Sequence, residues 1–269
     1  MDYQYIELNQ EGRLARLTLN RPDKHNAFNA GTIAELLHAL NVVAANSELS
    51  LLVLDANGKH FCAGADLGWM KAQAAMDAEA NLADARQLAV LMHTLDTLPV
   101  PVLALVQGAA FGGALGLIAC ADIVVAQPGS LFCLSEVKLG LIPSAISPYV
   151  SRAIGVRQMR RYALTAERFD GNQAKALGLV HEVAEQPAEA AEPLIQALLG
   201  NGPQALRACK SLLERVANAP IDDALVEDTA QRIAAIRVTP EGQEGLQAFF
   251  DKRAPNWQSK DNPQRQEAQ

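Results

Sequence analysis

VLALVQGAAFGGALGLIACADIVVA (residues 102–126) reads as a complete strand–loop–helix–strand unit. VLALV (102–106) is a short continuous apolar run, the pattern of a strand covered on both faces. It enters a loop of small residues, then a helix over residues 112–120, and IVVA (123–126) is a second buried strand. Pro99 and Pro101 separate this unit from the helical pattern before it, because proline removes a donor and clashes with the preceding turn. Two apolar strands joined through a helix imply parallel pairing with a right-handed crossover.

The same rhythm extends in both directions. Toward the N-terminus, LLVLD (51–55) is another buried strand, and a helical pattern through Leu82, Ala85, Ala89, Met92 and Leu95 follows it. Residues 3–9 and 13–19 form a hairpin around Gly12, with Ala15, Leu17 and Leu19 on one face. A turn follows at Asn20, Arg21 and Pro22, and Asn29 is placed to cap a helix carrying Ile33, Leu36, Leu37, Leu40 and Val43. Toward the C-terminus, LFCL (131–134) and LVHEV (179–183) are strand candidates, with helices near 146–153, 156–165 and 172–177 between them. From about residue 186 the pattern is helical only, broken at Gly202, Pro203 and Pro220 and ending on Phe249 and Phe250. The reading is an α/β chain with active loops at strand ends, followed by a helical appendage. The last dozen residues, from about Gln258, are polar and expected to fray.

Of the 269 residues, 49% are hydrophobic and 20% charged, so the chain can bury a full core. Lys and Arg number 23 against 30 Asp and Glu, for a net charge of −7, where a nucleic-acid binder would carry a basic stripe. No nucleic-acid partner is expected. The longest apolar stretch, Pro99 to Cys120, is interrupted by Gln107 and glycines, so it reads as strand, loop and helix rather than a membrane span. MDYQYIELNQ lacks the charged and apolar regions of an export signal, and a cytoplasmic location is expected. Cys62, Cys120, Cys133 and Cys209 have no CxxC spacing and read as small buried hydrophobes.

No GxSxG, GxxxxGK[ST], HExxH or GxGxxG motif occurs, and His60 and Cys62 have no second pair with which to hold a metal. The cluster Gly108, Gly112, Gly113 and Gly116 has two readings: close helix packing, or close approach of a ligand to backbone. The second gains weight because HFCAGADL (60–67) and QGAAFGGALGL (107–117) each follow a buried strand and could aim N–H groups at one point. Such donors stabilise a developing oxyanion, each by roughly 2.7–4 kcal/mol. The oxygen would be a carbonyl becoming an enolate.

NRPDKHNAF (20–28), HFCAGADL (60–67), VQGAAFGGALGLIACADI (106–123) and SEVKLGLIP (135–143), in that order, resemble the enoyl-CoA hydratase/isomerase (crotonase) family over residues 3 to about 256. DLGWM (66–70) and SEVKLGLIPSAISPYV (135–150) are most similar to bacterial 3-methylglutaconyl-CoA and isohexenylglutaconyl-CoA hydratases. The resemblance implies the crotonase spiral of repeated ββα turns over residues 1–195, with a C-terminal helical region, residues 196–269, forming a homotrimer or a dimer of trimers. It implies an acyl-CoA thioester as substrate, with coenzyme A part of that substrate and no separate cofactor or metal.

Residue by residue, the resemblance implies that Ala65 and Gly113 supply the oxyanion N–H groups. Ala63, Ala65 and Leu67 would meet the adenine part of coenzyme A through backbone atoms, with Lys24 and His25 near its phosphates. Phe249 and Lys252, in AFFDKR (248–253), would reach the coenzyme A site of a neighbouring subunit. Glu136 matches one of the two glutamates typical of family hydratases, and its apolar neighbours Leu134, Val137 and Leu139 suggest a raised pKa. The other glutamate is replaced by Gly116, which with Trp69 and Met70 is assigned to the substrate pocket. One carboxylate could serve a hydratase for a branched enoyl-CoA in leucine or acyclic terpene catabolism, or an isomerase. A non-enzymatic RNA-binding role is disfavoured by the charge.

Overall fold

The computed structural model describes residues 2–217 and 219–258. The predicted fraying from Gln258 onward falls almost entirely outside them. The chain opens with the antiparallel pair β1 (Ile6–Glu11) and β2 (Leu14–Leu19), joined through Gly12 at φ +56°. Next come α1 (Ala30–Ala45), β3 (Leu51–Ala56), α2 (Leu67–Ala74), α3 (Ala78–Asp96), β4 (Val102–Val106), β5 (Ala109–Phe111) and α4 (Gly113–Cys120). Then follow β6 (Ile123–Ala126), β7 (Leu131–Cys133), α5 (Ser147–Ile154), α6 (Val156–Thr165), β8 (Phe169–Asp170), α7 (Gly171–Leu177) and β9 (Glu182–Val183). Four helices close the described chain: α8 (Pro187–Leu199), α9 (Pro203–Val216), α10 (Asp223–Arg237) and α11 (Pro240–Phe250).

The main sheet has the order β1-β2-β3-β4-β6-β9 and is parallel from β2 onward. Because β3, β4 and β6 are apolar at every core position, alternate side chains feed two separate cores. Leu52, Leu54, Val102, Ala104, Val106 and Val124 enter the larger one, under α1, α3 and α4. Leu51, Val53, Leu103, Leu105 and Val125 face the other way, onto Ala191 and Ile195 of α8. A second sheet, β5-β7-β8, stands beside the ends of these strands.

The differences from the sequence reading have local causes. Helix α2 has no apolar period because it buries no residue, and it starts because the Asp66 side chain accepts from the N–H groups of Gly68 and Trp69. Strands β5 and β8 are too short to carry a period of their own. LVHEV yields strand only at Glu182–Val183, since the N–H groups of Leu179 and Val180 instead cap α7 at Ala174 O beyond the left-handed Gly178. Cys62, Cys120 and Cys133 are buried as expected; Cys209 is exposed, which corrects its reading as a core hydrophobe.

Candidate active site

The two small-residue loops are laced together as strands. On one side, the segment after β3 bonds to the turn before α1: Ala63 N–H donates to His25 O (3.0 Å), Phe28 N–H to Gly64 O (2.7 Å), and Asp66 N–H to Phe28 O (2.7 Å). On the other, Cys62 N–H donates to Ala109 O and Phe111 N–H to Cys62 O, both at 3.0 Å. Gly64 O and Asp66 N–H both point at Phe28, so the Ala65 N–H between them points away from it, toward the side on which Phe111 passes. The pleat can reverse there because Gly64 adopts φ +101°, open to glycine and strained for other residues.

Gly113 is the first residue of α4, so its N–H has no partner within the helix. Among the described residues, neither the Ala65 nor the Gly113 N–H donates to any protein group. Phe28 joins the two: its backbone clasps Ala65 and its ring underlies Gly113, where a Cβ would come within 3.0 Å of the ring. Gly112 completes the turn at φ +55° and ψ −123°, its N–H donating to Cys133 O at 2.9 Å. That bond ties the loop to β7, and three residues beyond Cys133 stands Glu136.

Glu136 begins a 3-10 turn, Glu136–Leu139. Its Oε1 lies 3.2 Å from where a Cβ on Gly112 would stand, so the carboxylate covers the backbone just before Gly113. Its Oε2 is buried without a partner among the described residues. Burial raises the Glu136 pKa, offset in part by its own backbone N–H. A protonatable carboxyl and the free Gly113 N–H thus share the start of α4, and the free Ala65 N–H lies on the loop that Phe28 ties to it, groups of the kind that can hold a carbonyl oxygen and move a proton.

The turn that carries Lys24 and His25 is fixed by Asn26, a residue the sequence reading passed over. Buried, and at φ +54°, it accepts from Arg21 N–H (2.7 Å) and donates to Asn57 O (2.8 Å) and His60 O (2.9 Å). Arg21 adds a bond to Ala27 O and an ion pair with Asp66 at 3.2 Å. Lys24 and His25 are exposed beside the first loop, and the His25 ring sits edge-on to His60 at 5.1 Å. His60 Nδ1 accepts from Ala109 N–H, placing its proton on Nε2. Burial and the nearby charges of His25 and Lys59 lower its pKa. Cys62 is buried, its thiol pushed up to about 12, and it contacts Gly64 O; His60 and Cys62 are therefore committed to holding the loop.

Ala65 and Leu67 are exposed along that loop, Ala63 is half-buried, and Trp69 and Met70 are half-buried on α2. Gly116 differs from expectation. It does not leave room in the site: a Cβ there would stand 2.3 Å from Ile146 Cγ2 and 2.7 Å from Met92 Sδ, so those two side chains already fill the space. Phe249 and Lys252 are exposed at the end of α11, and among the described residues no hydrogen bond or ring contact joins them to either loop. No three metal-ligating side chains cluster among the described residues, and no helix there is long and apolar enough to cross a membrane.

The parallel sheet, the two small-residue loops it carries and the buried carboxyl beside one of them are the features to set against known enzymes. The family model for enoyl-CoA hydratase/isomerase matches residues 9–260, and the chain belongs to that family. A solved enoyl-CoA hydratase from Shewanella pealeana is 53% identical, with a TM-score of 0.92 over 94% of this chain and 96% of that one. The crotonyl-CoA hydratase of Syntrophomonas wolfei is 31% identical over 97% of this chain and all of its own length. The 2,3-dehydroadipyl-CoA hydratase of Escherichia coli is 30% identical over 94% of this chain and 98% of its own. The fold is the crotonase fold.

Proposed function

We propose that the protein is an enoyl-CoA hydratase that adds water reversibly, and syn, across the α,β double bond of a 3-branched enoyl-CoA of the 3-methylglutaconyl or isohexenylglutaconyl type. Such a reaction belongs to leucine or acyclic terpene breakdown. The observation that carries the reading is the single carboxyl of Glu136 set over Gly112, at the start of the helix that offers the free Gly113 N–H. The thioester oxygen accepts from Ala65 and Gly113. Glu136 takes a proton from water as its oxygen bonds to the β-carbon, then delivers a proton to the α-carbon as the enolate collapses. A carboxyl of raised pKa suits both transfers, because it neither holds its proton too weakly nor remains ionised at too high a cost.

Support for hydration comes from the relatives named for it, and one of them is named for a dicarboxylic acyl-CoA. The branched glutaconyl substrate rests on the DLGWM and SEVKLGLIPSAISPYV motifs. Coenzyme A would lie along Ala63, Ala65 and Leu67, with Lys24 and His25 at its phosphates. Phe249 and Lys252 would serve the site of a neighbouring subunit in a trimer or dimer of trimers. The exposure of Ile221, Val238, Phe249 and Phe250 on the helical region supports such an assembly.

The same single carboxyl would suffice for an allylic proton shift, so isomerisation is the second reading. The experiment is turnover of straight, branched and carboxylated enoyl-CoAs in ¹⁸O-labelled water, followed by mass measurement of the acyl product. Label in the product establishes hydration; a moved double bond without label establishes isomerisation.

A further inference from the structure

Helix α2 follows the Ala65 loop directly, yet it buries no residue of its own. Trp69 packs half-buried against the larger core, and polar contacts add to what holds the helix. Asp84, on α3, accepts from the Trp69 indole Nε1–H at 3.2 Å with one carboxylate oxygen and from Gln73 Nε2–H at 2.6 Å with the other. One turn earlier on α3, the Asn81 amide donates to Gln73 O, Met76 O and Asp77 O, pinning the α2–α3 corner.

Asp84, Leu88 and Met92 recur every four residues and so share one face of α3. Met92 Sδ stands against Gly116 of α4, one turn beyond the Gly113 donor. The elements therefore close a ring: from Ala65 to Trp69 along α2, across Asp84 to α3, down its face to Met92, and through Gly116 back to Gly113. On the acyl-CoA reading above, the acyl group of a thioester held by both N–H donors is taken to run toward this circuit of contacts. At its α4 end Met92 and Ile146 are fully buried; at its α2 end Trp69 is half-buried, with its indole held by Asp84.

We propose that Asp84 is a positioning residue for the acyl-chain end of the site, holding the Trp69 indole where it limits the length of acyl group admitted between α2, α3 and α4. The assignment rests on the acyl-CoA reading above. Asp84 touches no reacting atom; it acts through Trp69.

The test compares crotonyl-CoA with 2-decenoyl-CoA on wild type, Asp84→Ala, Asp84→Asn, Trp69→Phe and the Asp84→Ala/Trp69→Phe pair. Releasing the indole should raise the decenoyl-to-crotonyl ratio of kcat/KM at least ~10-fold in Asp84→Ala and Trp69→Phe, since a few methylenes in an apolar site carry that much discrimination. Asp84→Asn keeps an acceptor for the indole and should stay within about 3-fold of wild type, and the pair should exceed neither single variant, as expected of two partners in one interaction. A ratio unmoved in Asp84→Ala and Trp69→Phe, with only the melting temperature lowered, would overturn the assignment.

A second measurement does not depend on turnover. In ¹⁵N-labelled protein, decanoyl-CoA should shift the Trp69 indole N–H resonance, while free coenzyme A leaves it in place. Trp257, whose indole donates to Gly200 O, is the internal reference. If no enoyl-CoA is hydrated but decanoyl-CoA moves Trp69, the hydratase reading fails and the positioning role stands. If hydration proceeds while neither the ratio nor the Trp69 resonance responds, the positioning role fails alone.

Discussion

The Glu136 carboxylate faces the side of Gly112 where a side chain would stand: a Cβ there would lie 3.2 Å from Glu136 Oε1, at a residue whose φ of +55° disfavours a side chain. Gly112→Ala therefore both strains the turn before the Gly113 donor and pushes against the carboxyl. The strain should destabilise the fold by about 1–3 kcal/mol. The carboxyl must give by a few tenths of an ångström, so kcat should fall by less than the ~10²-fold that a 1 Å misplacement costs. Steady-state kinetics and a melting curve on the same preparation measure both.

Glu136→Gln preserves shape and removes the transferable proton, so kcat should fall ~10²–10⁴-fold while affinity for coenzyme A, measured by calorimetry, stays as in wild type. More than half of normal turnover would end the assignment. The raised pKa gives the variant a stability signature as well. Because the folded state holds the Glu136 proton more tightly than the unfolded state, wild-type stability falls as pH rises from the ordinary value of 4.5 toward the raised one. Above that window Glu136→Gln should melt higher than wild type. Well below pH 4.5, where the carboxyl is protonated in both states, the advantage should vanish.

Gly113→Pro and Gly113→Ala separate the donor from the shape. Both add a Cβ against the Phe28 ring, but only proline removes the N–H, and proline is tolerated at the first position of a helix. The proline variant should turn over at least ~10²-fold more slowly than the alanine variant, the usual loss for one oxyanion donor. Equal rates would mean that the carbonyl is held elsewhere.

Much of this architecture is legible in the sequence because the strands are unambiguous: LLVLD, VLALV and IVVA are buried on both faces and carry no competing period. The Asn29 cap reads correctly for the same local reason, a side-chain oxygen bonding Thr32 N–H. What escapes is whatever depends on a partner distant in sequence. Helix α2 is held by Asp84, eleven residues beyond Gln73, and Phe28 joins the two loops through its backbone and the face of its ring. No periodicity encodes either. Gly116 shows the limit most plainly: a glycine in sequence suggests space, whereas Ile146 and Met92 from two other helical segments have already taken it.

Asn26→Ala should be among the most damaging substitutions outside the site itself. It strands the partly buried Arg21 N–H and the carbonyls of Asn57 and His60, and places alanine at φ +54°. Each group left unpaired costs about 1–3 kcal/mol, and relaxation or entry of water recovers part of it. A net loss of roughly 3 kcal/mol is expected by urea unfolding, with weaker coenzyme A binding because Lys24 and His25 lose their frame.

The final prediction concerns Gly116 and Ile146 together. A glutamate at 116 would restore a second carboxylate, but its Cβ alone would overlap Ile146 Cγ2 at 2.3 Å and Met92 Sδ at 2.7 Å, both in the packed core. Even Gly116→Ala should cost about 1–3 kcal/mol, the usual penalty for overfilling a close-packed interior. Gly116→Glu should then lose turnover of any substrate through misfolding of the α4–α5 contact, seen as a lowered melting temperature. Ile146→Ala removes the methyl group that meets the new Cβ, leaving only the flexible Met92 thioether to move. Gly116→Glu/Ile146→Ala should therefore melt higher than Gly116→Glu alone, the reverse of two independent losses. With two carboxyls at the start of α4, it should also hydrate crotonyl-CoA faster than Gly116→Glu. Additive destabilisation in the pair would mean that Ile146 is not what excludes a side chain at position 116, and the contact assigned to it would have to be given up.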